Sequence, residues 1–140
     1  MLKVQESFSI AVHALVRLAQ KPGVHHAGND IAEACQFSTH HLSKVLAQLV
    51  RAGLLESKRG PSGGVRFTRK PEAVTLSMIQ DAIEGQPVPR KGCLLPPGAC
   101  PGNRCALGCF LSKMETEVRR VFTTTTLADI LRGAQPKRKK

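Results

Sequence analysis

"QFSTHHLSKVLAQLVRAGLLESKRGPSGGVRF", Gln36 to Phe67, holds the local signals for a turn, a helix and a hairpin in succession. "QFSTHH" reads as a turn, and Ser38 is placed to cap the helix that follows. Leu42, Val45, Leu46, Leu49 and Val50 recur at helical spacing and define one apolar face. Gly53 is the natural stop, because a glycine tolerates the left-handed backbone that ends many helices. Leu54 and Leu55 then start an extended segment, and "GPSGG", Gly60 to Gly64, is a tight turn. Val65 and Phe67 alternate with Arg66 and Thr68, as in a half-buried strand. The result is a β-hairpin with a glycine tip and basic arms.

Outward from this stretch, apolar spacing at Phe8, Ala11, Val12, Leu15, Leu18 and Ala19 predicts a helix over Phe8–Ala19. "QKPGVHHAGND" breaks it, and a short helix over Asp30–Cys35 follows, capped by Asn29 or Asp30. On the other side, "PEAVTLSMIQDAIEG" gives a helix with Leu76, Ile79 and Ile83 inward. Helix, short helix, turn, helix and basic hairpin is the order of a winged helix-turn-helix. That arrangement seats its second helix in the major groove of DNA. The polar positions Ser38, Thr39, His40, His41, Ser43 and Lys44 then become candidates for DNA contact. In the wing, the candidates are Lys58, Arg59, Ser62, Gly63, Gly64 and Arg66. A single exposed Arg or His usually does nothing specific; the ordered combination carries the reading.

Charge agrees with it. The chain has a formal net charge of +11. Lys58, Arg59, Arg66, Arg69 and Lys70 fall within Ser57–Lys70, where there is no acid, and "PKRKK" closes the sequence. Such blocks suit a polyanion, most simply double-stranded DNA. Apolar content of 41% supports a modest core, packed mainly by aliphatic residues because Trp and Tyr are absent. No apolar run approaches the roughly 18 residues of a membrane span. Glu6, His13 and Arg17 in the first helical stretch do not read as a signal peptide. A cytoplasmic protein without a membrane partner is the expectation.

After the wing, "CLLPPGACPGNRCALGC" packs four of the five cysteines into residues 93–109, with spacing C-x6-C-x4-C-x3-C. Leu107, Leu111, Met114, Val118 and Val121 then follow at steps of four, three, four and three, the stripe of a dimerisation helix. "TTTT", Thr123 to Thr126, interrupts it, and Thr126 with Asp129 fits a capping box for a last short helix. The fold class is therefore mainly α with a small β-hairpin wing. Residues 1–86 form the winged helix-turn-helix domain and 87–106 the cysteine loop. Residues 107–132 hold the dimerisation and terminal helices, and 133–140 a basic disordered tail.

The stretch Gln36–Phe67, followed by "TLSMIQDAIEG", resembles the IscR/NsrR-type bacterial transcription regulators, the Rrf family. "RGPSGG" is similar to the family's Arg-Gly-Pro-x-Gly-Gly wing turn, and "TLADIL" is also familiar. The resemblance covers about Leu2 to Leu131. It implies a homodimeric repressor or dual regulator on a palindromic operator, controlled by a 2Fe-2S or 4Fe-4S cluster. Cys93, Cys100 and Cys105 match the family's three cluster cysteines. The signals implied are redox state, nitric oxide or iron supply.

The sequence departs from that pattern in several places. Gly108 stands where some members carry a ligand His, and Ser9 where others carry an acidic ligand from the partner subunit. Cys109 and His13 are equal candidates for a fourth ligand. Ser43 replaces the Glu of several members, so no operator sequence transfers.

The cysteine chemistry read by itself ranks an iron–sulfur cluster first. Pro/Gly-rich loops suit a ligand wrap around an inorganic core. Zinc comes second, because no C-x2-C knuckle is present. Free thiols or a reversible disulfide remain open, giving an alternative function: a cluster-free winged-helix regulator switched by cysteine oxidation or by a partner protein. Cys35, beside Ala32 and Ala34, reads as a small buried apolar residue. An enzyme is not expected, since there is no acid/base pair, nucleophile elbow or phosphate loop. An iron–sulfur carrier is the remaining reading from another class.

Overall fold

The computed structural model describes residues 4–86, 99 and 105–133. Three helices come first: α1 (Glu6–Ala19), α2 (Gly28–Cys35) and α3 (Thr39–Arg51). Strands β1 (Glu56–Lys58) and β2 (Gly64–Arg66), a 3-10 turn (Pro71–Ala73), α4 (Leu76–Glu84), α5 (Ala106–Thr124) and α6 (Leu127–Leu131) complete the chain. The structure is mainly helical, and the two strands pair antiparallel with Ser57 opposite Val65.

Helix α1 starts two residues before the expected Phe8, because the Phe8 and Ser9 N–H groups both donate to the Gln5 carbonyl. It buries Ile10, Ala11, Ala14, Leu15 and Leu18. Helix α2 starts at Gly28, earlier than the Asn29/Asp30 cap predicted, and has no side-chain cap. It ends at Gln36, which adopts the left-handed backbone (φ 56°) that glycine usually supplies. The Phe37 N–H then bonds back to the Ala32 carbonyl at 2.9 Å. Three residues, Gln36 to Ser38, thus make the turn between α2 and α3, and Ser38 caps the helix as the sequence predicts.

The wing has a third rung that the sequence reading did not foresee. His26, in the α1–α2 linker, exchanges two backbone hydrogen bonds with Val65, at 2.8 and 2.9 Å. Leu54 and Leu55 do not extend the strand; both turn into the core, and pairing begins at Glu56.

Helix α5 continues through Thr123 and Thr124, whose hydroxyls donate to carbonyls of the preceding turn. The interruption expected across "TTTT" comes only at Thr125. Phe122 stacks on Phe8 with ring centroids 5.5 Å apart, tying the end of α5 to α1. Leu127 and Ala128 of α6 are buried in the same core as α1, and the Leu127 N–H donates to the Val74 carbonyl at 2.7 Å. Although a linear division separates the final helix from residues 1–86, it closes their core.

The Thr126/Asp129 capping box is formed. The Thr126 N–H and O–H donate to Asp129 Oδ2 at 2.9 and 2.7 Å. These bonds, with Arg132 alongside, hold the Asp129 carboxyl below the usual aspartate range. A depressed native value means that stability is present above the unfolded value, ~3.9, and lost as pH falls through the native one. Asp129→Asn is therefore expected to be less stable than wild type at neutral pH, with the gap closing under acid. Urea midpoints across a pH series check this; a gap independent of pH refutes it.

Candidate nucleic-acid interface

Leu42, Val45, Leu46 and Leu49 anchor α3 in the core. Sequence spacing then forces the remaining positions outward: Thr39, His40, Ser43, Lys44, Ala47 and Arg51 are exposed. Ser38 works as the cap, its Oγ accepting the His41 N–H at 3.5 Å. Ser43 donates its hydroxyl to the Thr39 carbonyl at 2.8 Å, which occupies its proton but leaves its face outward. His41 is turned aside. Its Nε2 lies 3.0 Å from Ser7 Oγ and its Nδ1 4.0 Å from Glu6, both on α1. Of the six helix positions read from sequence, Thr39, His40, Ser43 and Lys44 face solvent together.

In the wing, Lys58, Arg59 and Ser62 are exposed. Gly63 and Gly64 serve the fold itself. A Cβ at Gly63 would overlap the Lys58 carbonyl, and one at Gly64 would overlap the His26 carbonyl. Arg66 is engaged: its Nε and a terminal NH₂ both donate to Glu56 Oε2, at 3.0 and 2.7 Å. The register that places Glu56 opposite Arg66 creates this pair, and it competes with any phosphate contact. Glu56→Gln is expected to tighten binding to duplexes of arbitrary sequence and to steepen the salt slope by up to about one. Fluorescence anisotropy over a salt series reads this; unchanged affinity would mean Arg66 does not approach DNA.

Arg69 pins the wing to α3 from below, its Nε donating to the Gly53 carbonyl at 2.8 Å. Glycine at this C-terminal position has φ 72°, as its cap role requires. Wing and reading helix are therefore joined at this point.

Cys93 and Cys100 lie outside the described residues. Cys105 is the N-cap of α5, and its Sγ accepts the Gly108 N–H at 3.4 Å. Cys109, one helical turn on, is exposed. His13 is exposed on α1; its Nδ1 lies 2.7 Å from the Ser9 carbonyl, and its ring is edge-on to Phe37. Cys35 is half-buried against the core. Among the described residues, no three His, Cys, Asp or Glu side chains converge as a metal site. The α5 stripe is only partly covered: Leu107 and Met114 are exposed, while Leu111, Val118 and Val121 are half-buried. Phe110, 57% exposed, widens the open apolar face. No helix among the described residues is long and apolar enough to cross a membrane.

A three-helix core, a short turn into an exposed basic helix, and a basic hairpin pinned beside it define a winged helix-turn-helix DNA-binding protein. The chain belongs to the Rrf2 family of iron-dependent transcriptional regulators, whose model matches residues 4–133. The family and the relatives it matches are transcriptional regulators, not enzymes. The chain is 33% identical over 108 residues to the HTH-type transcriptional regulator NsrR of Geobacillus kaustophilus, covering 73% of this chain and 70% of that one. The solved structure of CymR, the global cysteine regulator of B. subtilis, is similar at a TM-score of 0.78 and 27% identity, over 96% of this chain and 100% of that one. T. potens IscR is similar at 0.75 and 26%, over 99% and 93%. The chain spans 48% of the length of the first curated relative it matches.

Proposed function

We propose that the protein is a homodimeric, sequence-specific regulator whose DNA affinity is switched by an iron–sulfur cluster on Cys93, Cys100 and Cys105. One observation carries the reading. Cys105 caps the helix whose far end stacks on α1 through Phe122, so a change at the thiol would reach the DNA-reading unit along one continuous helix. Of the proposed donors, Cys105 presents its sulfur as an acceptor at a helix start, and Cys109 follows one helical turn later. The cluster supplies redox- and nitric-oxide-sensitive ligation when bound. Cys109 and His13 remain the candidates for its fourth ligand.

The open face of Leu107, Phe110 and Met114 supports pairing of α5 with a second copy. A symmetric dimer presents two α3 helices to half-sites about one turn, ~34 Å, apart on a palindromic operator, and ligand state would alter that spacing.

Anaerobically purified protein is expected to be coloured, to carry iron and acid-labile sulfide, and to bind duplex DNA with a steep salt dependence. Cys93→Ala should remove the colour and change DNA affinity. Protein that stays colourless and iron-free after anaerobic reconstitution, with Cys93→Ala leaving binding intact, sinks the cluster reading. The second reading, a cluster-free regulator switched by thiol oxidation or a partner protein, is supported by the likeness to CymR, a cysteine regulator. An oxidant-induced bridge between Cys93 and Cys100, or between Cys100 and Cys105, that toggles DNA affinity would favour it.

A further inference from the structure

Beside the reading helix lies a cleft of about 430 Å³ between α1 and α3, bordered by Ser7, His41, Lys44, Gln48 and Arg51. Positions 41, 44, 48 and 51 form one row along the flank of α3. The row borders α1 through the Ser7–His41 contact, and α4 through the Gln48 side chain, which donates to the Ile83 carbonyl at 3.2 Å. The wing pairs with the residues before α2, and Arg69 beyond it bonds the Gly53 carbonyl just after α3.

Dimensions decide what this flank meets. The major groove of B-DNA is about 12 Å wide, and a helix with its side chains is about 10–12 Å across. A helix seated there turns its outermost positions to the base edges and its flanks to the phosphate walls. Lys44 and Arg51, seven residues apart, stand about 10 Å apart along the helix axis. Neither has a carboxylate partner among the described residues. The acid next to the row is Glu6, 81% exposed and 4.0 Å from His41. With its proton on Nε2, His41 donates to Ser7 Oγ and leaves the Ser7 O–H free to turn outward.

We infer that this α1–α3 cleft grips the DNA backbone on the α1 side of the reading helix. Lys44 and Arg51 supply the cations, the Ser7 hydroxyl supplies a neutral donor, and His41 holds Ser7 in place. The inference rests on the DNA-binding reading and adds to it a backbone contact made by α1 and α3. It assigns roles to Ser7 and Arg51, and it makes His41 a positioning residue instead of a base reader.

The test measures binding of the full chain to a labelled duplex of random sequence, and to a duplex that the wild-type protein selects from a randomised pool, over a salt series. Arg51→Gln is expected to weaken both duplexes alike and to reduce the salt slope by about 0.9. Arg132→Gln removes the same charge at the end of α6 and should leave the slope in place. Ser7→Ala should weaken both duplexes, and Ser7→Thr, which keeps the hydroxyl, should restore them. Thermal melts confirm that each variant is folded. If Arg51→Gln and Lys44→Gln both retain the wild-type slope, the cleft is not a backbone contact. If wild-type protein binds neither duplex at any salt, the DNA-binding reading itself falls.

Discussion

Phe67→Ala is expected to cost about 3–5 kcal/mol of folding stability, the range for emptying an aromatic core site. Phe67 is fully buried and belongs to the same cluster as Leu54, Leu55, Val74 and Ile79. Its position explains the size of the effect. It follows β2 directly, and its carbonyl accepts the Gly23 N–H at 3.0 Å, so the ring sits where the wing and the α1–α2 linker are stitched together. Removing the ring leaves a cavity whose walls belong to several elements, which cannot all move inward at once. The urea midpoint should fall by the corresponding amount with little change in slope. DNA affinity should fall with it, because the wing loses its footing. A loss below about 1 kcal/mol would mean the site collapses freely and the wing root is not a rigid joint.

Gly64→Ala carries the second large effect, about 3 kcal/mol, the upper range for a strained backbone position. Gly64 has φ +130°, which L side chains rarely adopt. A Cβ there would overlap the His26 carbonyl oxygen and stand 2.6 Å from its carbon. That carbonyl accepts the Val65 N–H, so relieving the clash breaks the third rung of the wing. Gly60 provides the comparison. It also has positive φ, +109°, but an added Cβ would meet nothing within 4 Å. Gly60→Ala should therefore cost only the conformational strain, about 1–2 kcal/mol. Equilibrium unfolding of the two variants separates strain from clash; equal losses would refute the role given to the His26 rung. The Gly64 variant should also lose DNA affinity by releasing the wing from the body.

Residues close in the chain explain what was legible beforehand. The apolar period of α3 and its Ser38 cap are local properties, as is the Thr126/Asp129 box, whose partners lie three residues apart. The Gly-rich wing tip was legible for the same reason. The turn at Gln36 was legible too, but its left-handed glutamine was not, because such a residue has no composition signal; the packing of Phe37 and the bond it makes to Ala32 hold it there. In the candidate interface, Thr39, His40 and Lys44 followed from the apolar stripe alone. His41 did not, because its partner Ser7 is 34 positions away. Arg66 also looked free, until strand register set Glu56 across from it.

The sequence by itself determined the element order, the apolar faces and the basic character, since these depend on composition and on contacts a few residues apart. It also identified the cysteine-bearing segment ahead of α5. Only the tertiary structure decided which polar side chains are spent on the fold and which stay exposed. It also carried α6 back into the core of α1 and joined His26 to the wing. Those outcomes depend on distant segments competing for the same buried surface and the same backbone hydrogen bonds, and no local pattern records the winner.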